Sequence, residues 1–113
     1  MSNRNNVRRP DHFGRARMAY LELIRIVYSK GDLITYGELC GQLGLHHRSA
    51  AWFLGVIQYQ MEDLEMPPLQ ALVVSKKFKV PGKGYLATGR SPSEHSKAVR
   101  SVLAYNWPST APF

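Results

Sequence analysis

Lys76, Lys77, Lys79 and Lys83 crowd one short run that also holds Pro81, Gly82 and Gly84, while Arg48, Ser49, Trp52, Gly55 and Tyr59 recur at the three- and four-residue steps that gather side chains on one helical face. The lysines suit phosphate. Each ammonium that meets a phosphate releases condensed counterion, so such binding weakens with salt and carries little sequence information. The second set offers a guanidinium, a hydroxyl and two aromatic rings, which fit base edges in a major groove or the face of an unpaired base. Arg8 and Arg9 add a basic pair that fits a minor groove. Other readings stay open: the lysines as a solvated tip, the arginines as an arm without a role, and Trp52 and Tyr59 as packing residues.

Chemistry of other kinds finds little support. His46 and His47 are adjacent and so are expected to point apart, and His12 and His95 lie far off in the chain. With a single cysteine and no ligand spacing, neither a metal nor another cofactor is expected. Cys40, next to Leu39 and one turn from Leu43, reads as a small buried hydrophobe. A nucleophilic role would need a neighbouring base that the sequence does not reveal, so an enzyme is not expected.

The 113 residues suffice for one domain with a core that needs no metal or disulfide. Fifteen Lys and Arg against eight Asp and Glu leave a formal charge of +7, which makes a polyanionic partner plausible. Acidic residues concentrate at Glu62, Asp63 and Glu65. The apolar runs are too short to cross a bilayer, and the polar first residues lack the apolar stretch of a secretory signal, so a cytoplasmic protein is expected.

The elements that must carry these residues follow from periodicity and punctuation. Residues 1–10 read as a flexible basic arm and residues 11–113 as a single domain. Phe13, Tyr20, Leu21, Ile24, Val27 and Tyr28 predict a first helix ended by Gly31. Leu33 and Ile34 read as a short strand, and Thr35 with Glu38 as a capping box opening a second helix to Leu43. Gly44 marks a turn, after which a third helix runs from about His47 or Arg48 to Asp63, with Ala50, Phe53, Leu54, Ile57 and Met61 buried. Pro67 and Pro68 stop it. Leu69 to Ser75 reads as a strand returning through the lysine-bearing tip to Tyr85, Leu86 and Ala87, which makes a wing. Ser91, Pro92 and Glu94 predict a last helix to about Tyr105, and Trp107 and Phe113 a tail that folds back.

Leu33-Ile34-Thr35-Tyr36-Gly37-Glu38-Leu39, Ser49-Ala50-Ala51-Trp52-Phe53-Leu54-Gly55, Pro68-Leu69-Gln70-Ala71-Leu72-Val73 and Gly82-Lys83-Gly84-Tyr85 together resemble the C-terminal DNA-binding domain of alkylguanine-DNA alkyltransferases and the alkyltransferase-like proteins. The resemblance covers roughly residues 31 to 88. It implies a winged helix-turn-helix in which Tyr36 and the third helix face DNA. It also implies that Leu69 stands where the family has its alkyl-accepting cysteine, Gln70 where it has the activating histidine, and Trp52 where it has the arginine that fills the space of a flipped base. A leucine cannot become a thiolate and a glutamine cannot generate one, so alkyl transfer is not expected. Trp52 either wedges into a duplex or packs against the body.

These readings converge on a small α+β winged helix-turn-helix domain of about four helices with a two-stranded wing. The expected function is non-catalytic DNA binding, duplex before single strand, by a regulator or damage sensor. The alternative is a protein-interaction factor, such as a phage or mobile-element inhibitor of a host nucleic-acid machine, in which Trp52, Tyr59 and the acidic group contact a protein.

Overall fold

A computed structural model describes residues 11–89 and 91–113; Arg8, Arg9 and the expected arm lie outside the described residues. The first helix, α1, spans His12–Ser29. Asp11 caps it by accepting from the Gly14 amide at 2.8 Å. Gly31, at φ +63°, ends it in the left-handed conformation that costs glycine nothing, and its amide returns to the Ile26 carbonyl at 2.8 Å.

The buried face of α1 differs from the expected one. Tyr20, Ile24 and Val27 are buried as expected, but Phe13, Leu21 and Tyr28 are exposed and Ala16, Ala19 and Leu23 take their place inside. Two fully buried alanines let α1 come close to the third helix, the element it meets most extensively. Small side chains set that approach, and hydrophobicity alone does not reveal it.

A two-residue strand β1, Ile34–Thr35, leads into α2, Tyr36–Leu43. The capping box is complete: the Glu38 amide donates to Thr35 Oγ1 at 3.1 Å and the Thr35 amide donates to Glu38 Oε1 at 3.0 Å. That backbone amide holds the Glu38 carboxyl below the usual carboxylate range. Gly44, at φ +69°, closes α2. The next turn, His47–Ser49, is a 3-10 helix with His46 Nδ1 accepting from the Arg48 amide, and it runs directly into α3, Ala50–Asp63. Ala50, Phe53, Leu54, Ile57 and Met61 are the buried stripe of α3, as its spacing predicts. Its end is a left-handed Glu65 at φ +56°, with the Met66 amide donating to the Met61 carbonyl at 2.8 Å before the two prolines.

The expected wing is not a two-stranded hairpin. Leu69–Leu72 forms a 3-10 turn, and only Val73–Val74, strand β2, is extended. It pairs with β1 in parallel, Ile34 opposite Val73 and Thr35 opposite Val74, whereas Tyr85, Leu86 and Ala87 form no strand. Three physical reasons act together. Pro68 starts a turn that the Ala71 amide closes onto the Pro68 carbonyl at 2.8 Å. Pro81 has no amide to donate to a returning ladder. Val73 and Val74 are both buried, which suits a parallel strand covered on both faces better than a hairpin arm.

The last helix, α4, spans Pro92–Ala104, with Pro92 in its first turn and Ser91 Oγ accepting from the Glu94 amide. Here the Glu94 carboxylate takes the Ser91 hydroxyl at 2.8 Å, an arrangement that differs from the reciprocal capping box of α2. The tail folds back as expected. Trp107 is buried, its indole N–H donating to the Val102 carbonyl at 2.8 Å and its amide to the Tyr28 hydroxyl at 2.9 Å. Phe113 meets Tyr20 edge to face at 6.0 Å, and Arg17 Nε donates to the Phe113 main-chain oxygen at 2.8 Å. The described residues thus form four α-helices and a short parallel sheet, a mostly helical α+β arrangement. No helix among them is long and apolar enough to cross a membrane.

Tyr20 ties the tail to the core by donating to the Pro108 carbonyl at 2.8 Å. Its burial, with Tyr28 and Tyr105 nearby adding phenolate repulsion, pushes its pKa up to about 12. A raised folded-state pKa favours the neutral phenol. The stabilisation is therefore complete below the unfolded value of about 10 and is lost as pH rises from there toward about 12. Urea midpoints measured across that window should fall in the wild type, and Tyr20→Phe should flatten the fall.

Candidate nucleic-acid interface

Helix α3 presents two unlike faces. Opposite its buried stripe, Trp52 and Tyr59 are 64% and 67% exposed, and Arg48 in the turn before it is exposed too. Trp52 is therefore not a core residue, although it does touch the N-terminal helix. His12 lies against it, ring centroids 5.2 Å apart and planes 19° apart, so the start of α1 supports one face of the indole. Ser49 is half-buried, with Arg15 Nη1 donating to its hydroxyl at a long 3.4 Å.

Between α3 and the segment from Pro81 to Tyr85 lies a cavity of about 240 Å³. That is below the roughly 300–1,000 Å³ of sites for drug-sized ligands, so it suits one ring system. Ala51, Leu54, Gly55 and Gln58 supply the α3 side, and Tyr36, Gln70 and the Gly82-Lys83-Gly84 segment complete it. Most of this lining is apolar or backbone. Gly55 has nothing within 4 Å of where a Cβ would stand, so any larger residue would project into free space that the cavity now occupies. Glycine within a helix costs about 1 kcal/mol relative to alanine, and here it keeps the cavity open.

Three polar side chains shape the cavity. The Tyr36 hydroxyl accepts from the Gly82 amide at 2.6 Å, leaving its own proton available. A Cβ on Gly82 would lie 3.1 Å from that oxygen, so the close approach requires glycine or a displaced ring. Gln58 Nε2 donates to the Gly84 carbonyl at 2.9 Å, and Gln58 Oε1 accepts from the Leu86 amide at 2.6 Å. One carboxamide thus performs the two pairings a neighbouring strand would make. Gln70 is 5% exposed, and neither Oε1 nor Nε2 has a hydrogen-bond partner. An unpaired buried amide costs stability unless something fills its bonding capacity. The backbone beside it is fixed from α4, where His95 Nε2 donates to the Ala71 carbonyl at 2.8 Å; a carbonyl can only accept, so that nitrogen carries the proton.

Lys76, Lys77, Lys79 and Lys83 are all exposed, Lys83 in the cavity wall itself. Among the described residues the one ion pair joins Arg25 to Glu22 on α1, so none of these lysines is in a salt bridge, although Lys79 is near enough to Glu38 to help hold its carboxyl down. The structure brings Tyr36 and Lys83 to the cavity and sets Trp52 and Tyr59 on the helix that forms its other side. It places Lys76, Lys77 and Lys79 in the turn before the wall. Gln58 and Phe78 were not singled out by spacing, and no local signal marks Gln58. Gln70 carries one, a lone amide inside the apolar run from Pro68 to Val74.

Leu69 and Cys40 bear on chemistry. Residue 69 is a leucine, which has no thiol, and it is fully buried. Cys40 is buried in the core, away from the cavity lining, and burial pushes its thiol pKa up. Labelling with a disulfide reagent at neutral pH should be slow in the folded protein and become fast only in denaturant. Rapid native labelling would reopen the case for Cys40 chemistry. No group of three or more metal-ligating side chains occurs among the described residues.

No family model, curated protein or solved structure matches this chain.

Proposed function

We propose that this protein is a non-catalytic DNA-binding module of the damage-sensor type, in which α2, the Gly44 turn and α3 act as a helix-turn-helix and the lysine-bearing segment replaces a hairpin wing. The observation that carries this reading is the unpaired Gln70 carboxamide at a cavity sized for one base. A base swung out of a duplex would fill that space with donors and acceptors that Gln70 reaches by turning its side chain, and damaged or mismatched bases cost least to unstack. Tyr36 offers one further proton there. Exposed lysines and the Trp52 and Tyr59 rings supply phosphate and stacking contacts around the mouth.

Glu62, Asp63 and Glu65, exposed where α3 ends, favour a second reading. Carboxylates repel phosphate, so a protein partner on Tyr59 and this acidic end would suit them.

Fluorescence binding to a random duplex, a single strand and an alkylated duplex at two salt concentrations tests the first reading. Binding that falls with salt and favours the alkylated duplex is expected, and Gly55→Leu, which fills the cavity, should remove that preference while sparing general affinity. Absence of binding at low salt would defeat the DNA reading and leave the protein-partner one.

A further inference from the structure

The segment from Ser75 to Val80 is a built turn. The Ser75 amide donates to the Val80 carbonyl at 2.9 Å, the Lys79 amide to the Ser75 carbonyl at 2.9 Å, and the Phe78 amide to Ser75 Oγ at 3.0 Å. Lys79 sits at φ +60°, a left-handed position that glycine or asparagine would occupy more readily. This closed backbone holds Phe78 outward at 69% exposure, between Lys76, Lys77 and Lys79. The Lys77 ammonium stands 5.3 Å from the centre of the ring. A tip that served only solubility would need its lysines and no ring.

We propose that Phe78 stacks on an unpaired nucleobase while its flanking lysines hold the adjoining phosphates. The proposal rests on the DNA-binding reading and extends it. Lys77 occupies one face of the ring, and its exposure leaves room for one base elsewhere. A fully paired duplex buries its base faces in the stack, so only an unpaired base can offer one. The turn leads directly into the Pro81 to Tyr85 wall of the cavity, and extruding one base leaves its former partner orphaned in the opposite strand. That orphan is the base we assign to Phe78. The single ring among three cations favours nucleic acid over a membrane, whose interface takes larger apolar faces.

A duplex carrying 2-aminopurine opposite an abasic site supplies the orphan without requiring extrusion, and the same duplex fully paired is its control. Wild-type protein should quench the 2-aminopurine and prefer the orphan duplex. Phe78→Ala should weaken binding to the orphan duplex by about 5- to 150-fold and leave the paired duplex nearly unchanged, and Phe78→Trp should restore binding. Unaltered melting would show that the exposed position carries no folding role. Equal binding of both duplexes by Phe78→Ala and wild type would overturn the proposal, as would an equal loss on both. Loss confined to phosphatidylserine vesicles would overturn it in favour of a lipid contact. Failure of the wild-type protein to bind any nucleic acid at low salt would instead bring down the reading beneath it.

Discussion

Phe53→Ala is expected to lower the melting temperature by about 10–25 °C, whereas Trp52→Ala, one residue earlier, should leave melting almost unchanged and weaken DNA binding instead. Phe53 is fully buried in the stripe that α3 turns to the core. Removing a buried phenylalanine costs about 3–5 kcal/mol, because the lost transfer energy is joined by a cavity that stiff neighbours cannot fill. Domains of this size hold only about 5–15 kcal/mol in total, so the variant should be partly unfolded under mild conditions. Trp52 is 64% exposed, with only His12 stacked on it. Truncating it exposes little and strands no polar group, which places its stability effect within about 0.5 kcal/mol. A base stacked on that indole would contribute about 1–3 kcal/mol, or roughly 5- to 150-fold in affinity. Calorimetry and a binding titration on the two variants separate the roles. A Trp52→Ala protein that melts as low as Phe53→Ala would show that the indole belongs to the core.

Combined replacement of Lys76, Lys77 and Lys79 by alanine should lower affinity for duplex DNA on the order of 10²-fold at about 0.1 M salt and flatten its salt dependence. Each phosphate contact adds about 0.9 to the slope of log affinity against log salt, so three lost contacts reduce the slope by nearly three. All three side chains are exposed, and none is paired with a carboxylate, so folding should be unaffected. A salt titration of both proteins checks the expectation. Weaker binding with an unchanged slope would mean that these lysines do not reach phosphate.

How far such assignments can be read from residues alone depends on whether their cause is local. The Thr35 and Glu38 box, the Gly44 stop and Pro92 at the start of α4 are decided by neighbours a few positions apart, and all were legible. So was the α3 stripe, since the same periodicity that buries Phe53 and Ile57 exposes Trp52 and Tyr59. Strand pairing was not. Val73 and Val74 have the composition of a strand, but their partner lies some forty positions earlier at Ile34 and Thr35, and the choice between that and a hairpin rests on burial of both faces. The α1 face was misread for a related reason: Ala16 and Ala19 matter through closeness, which hydrophobicity does not encode. Within the candidate site, the lysines and aromatic rings announced themselves by type, while Gln58 and the unpaired state of Gln70 are properties of the folded arrangement.

Because no ladder joins the Pro81 to Tyr85 wall to the sheet, its attachment to α3 and α2 runs through side chains, the Gln58 carboxamide and the Tyr36 hydroxyl. Opening that wall means breaking three hydrogen bonds and lifting buried Tyr85 off Ala71 and Ala98, and it leaves the pairing of β1 with β2 and the contact of α1 with α3 in place. The segment is thus a separate unit of local opening, with a free energy well below that of global unfolding, and its amides should exchange with solvent long before those of the core helices. A cavity with such a wall can widen for an entering guest and close behind it, at a rate that the main fold does not set.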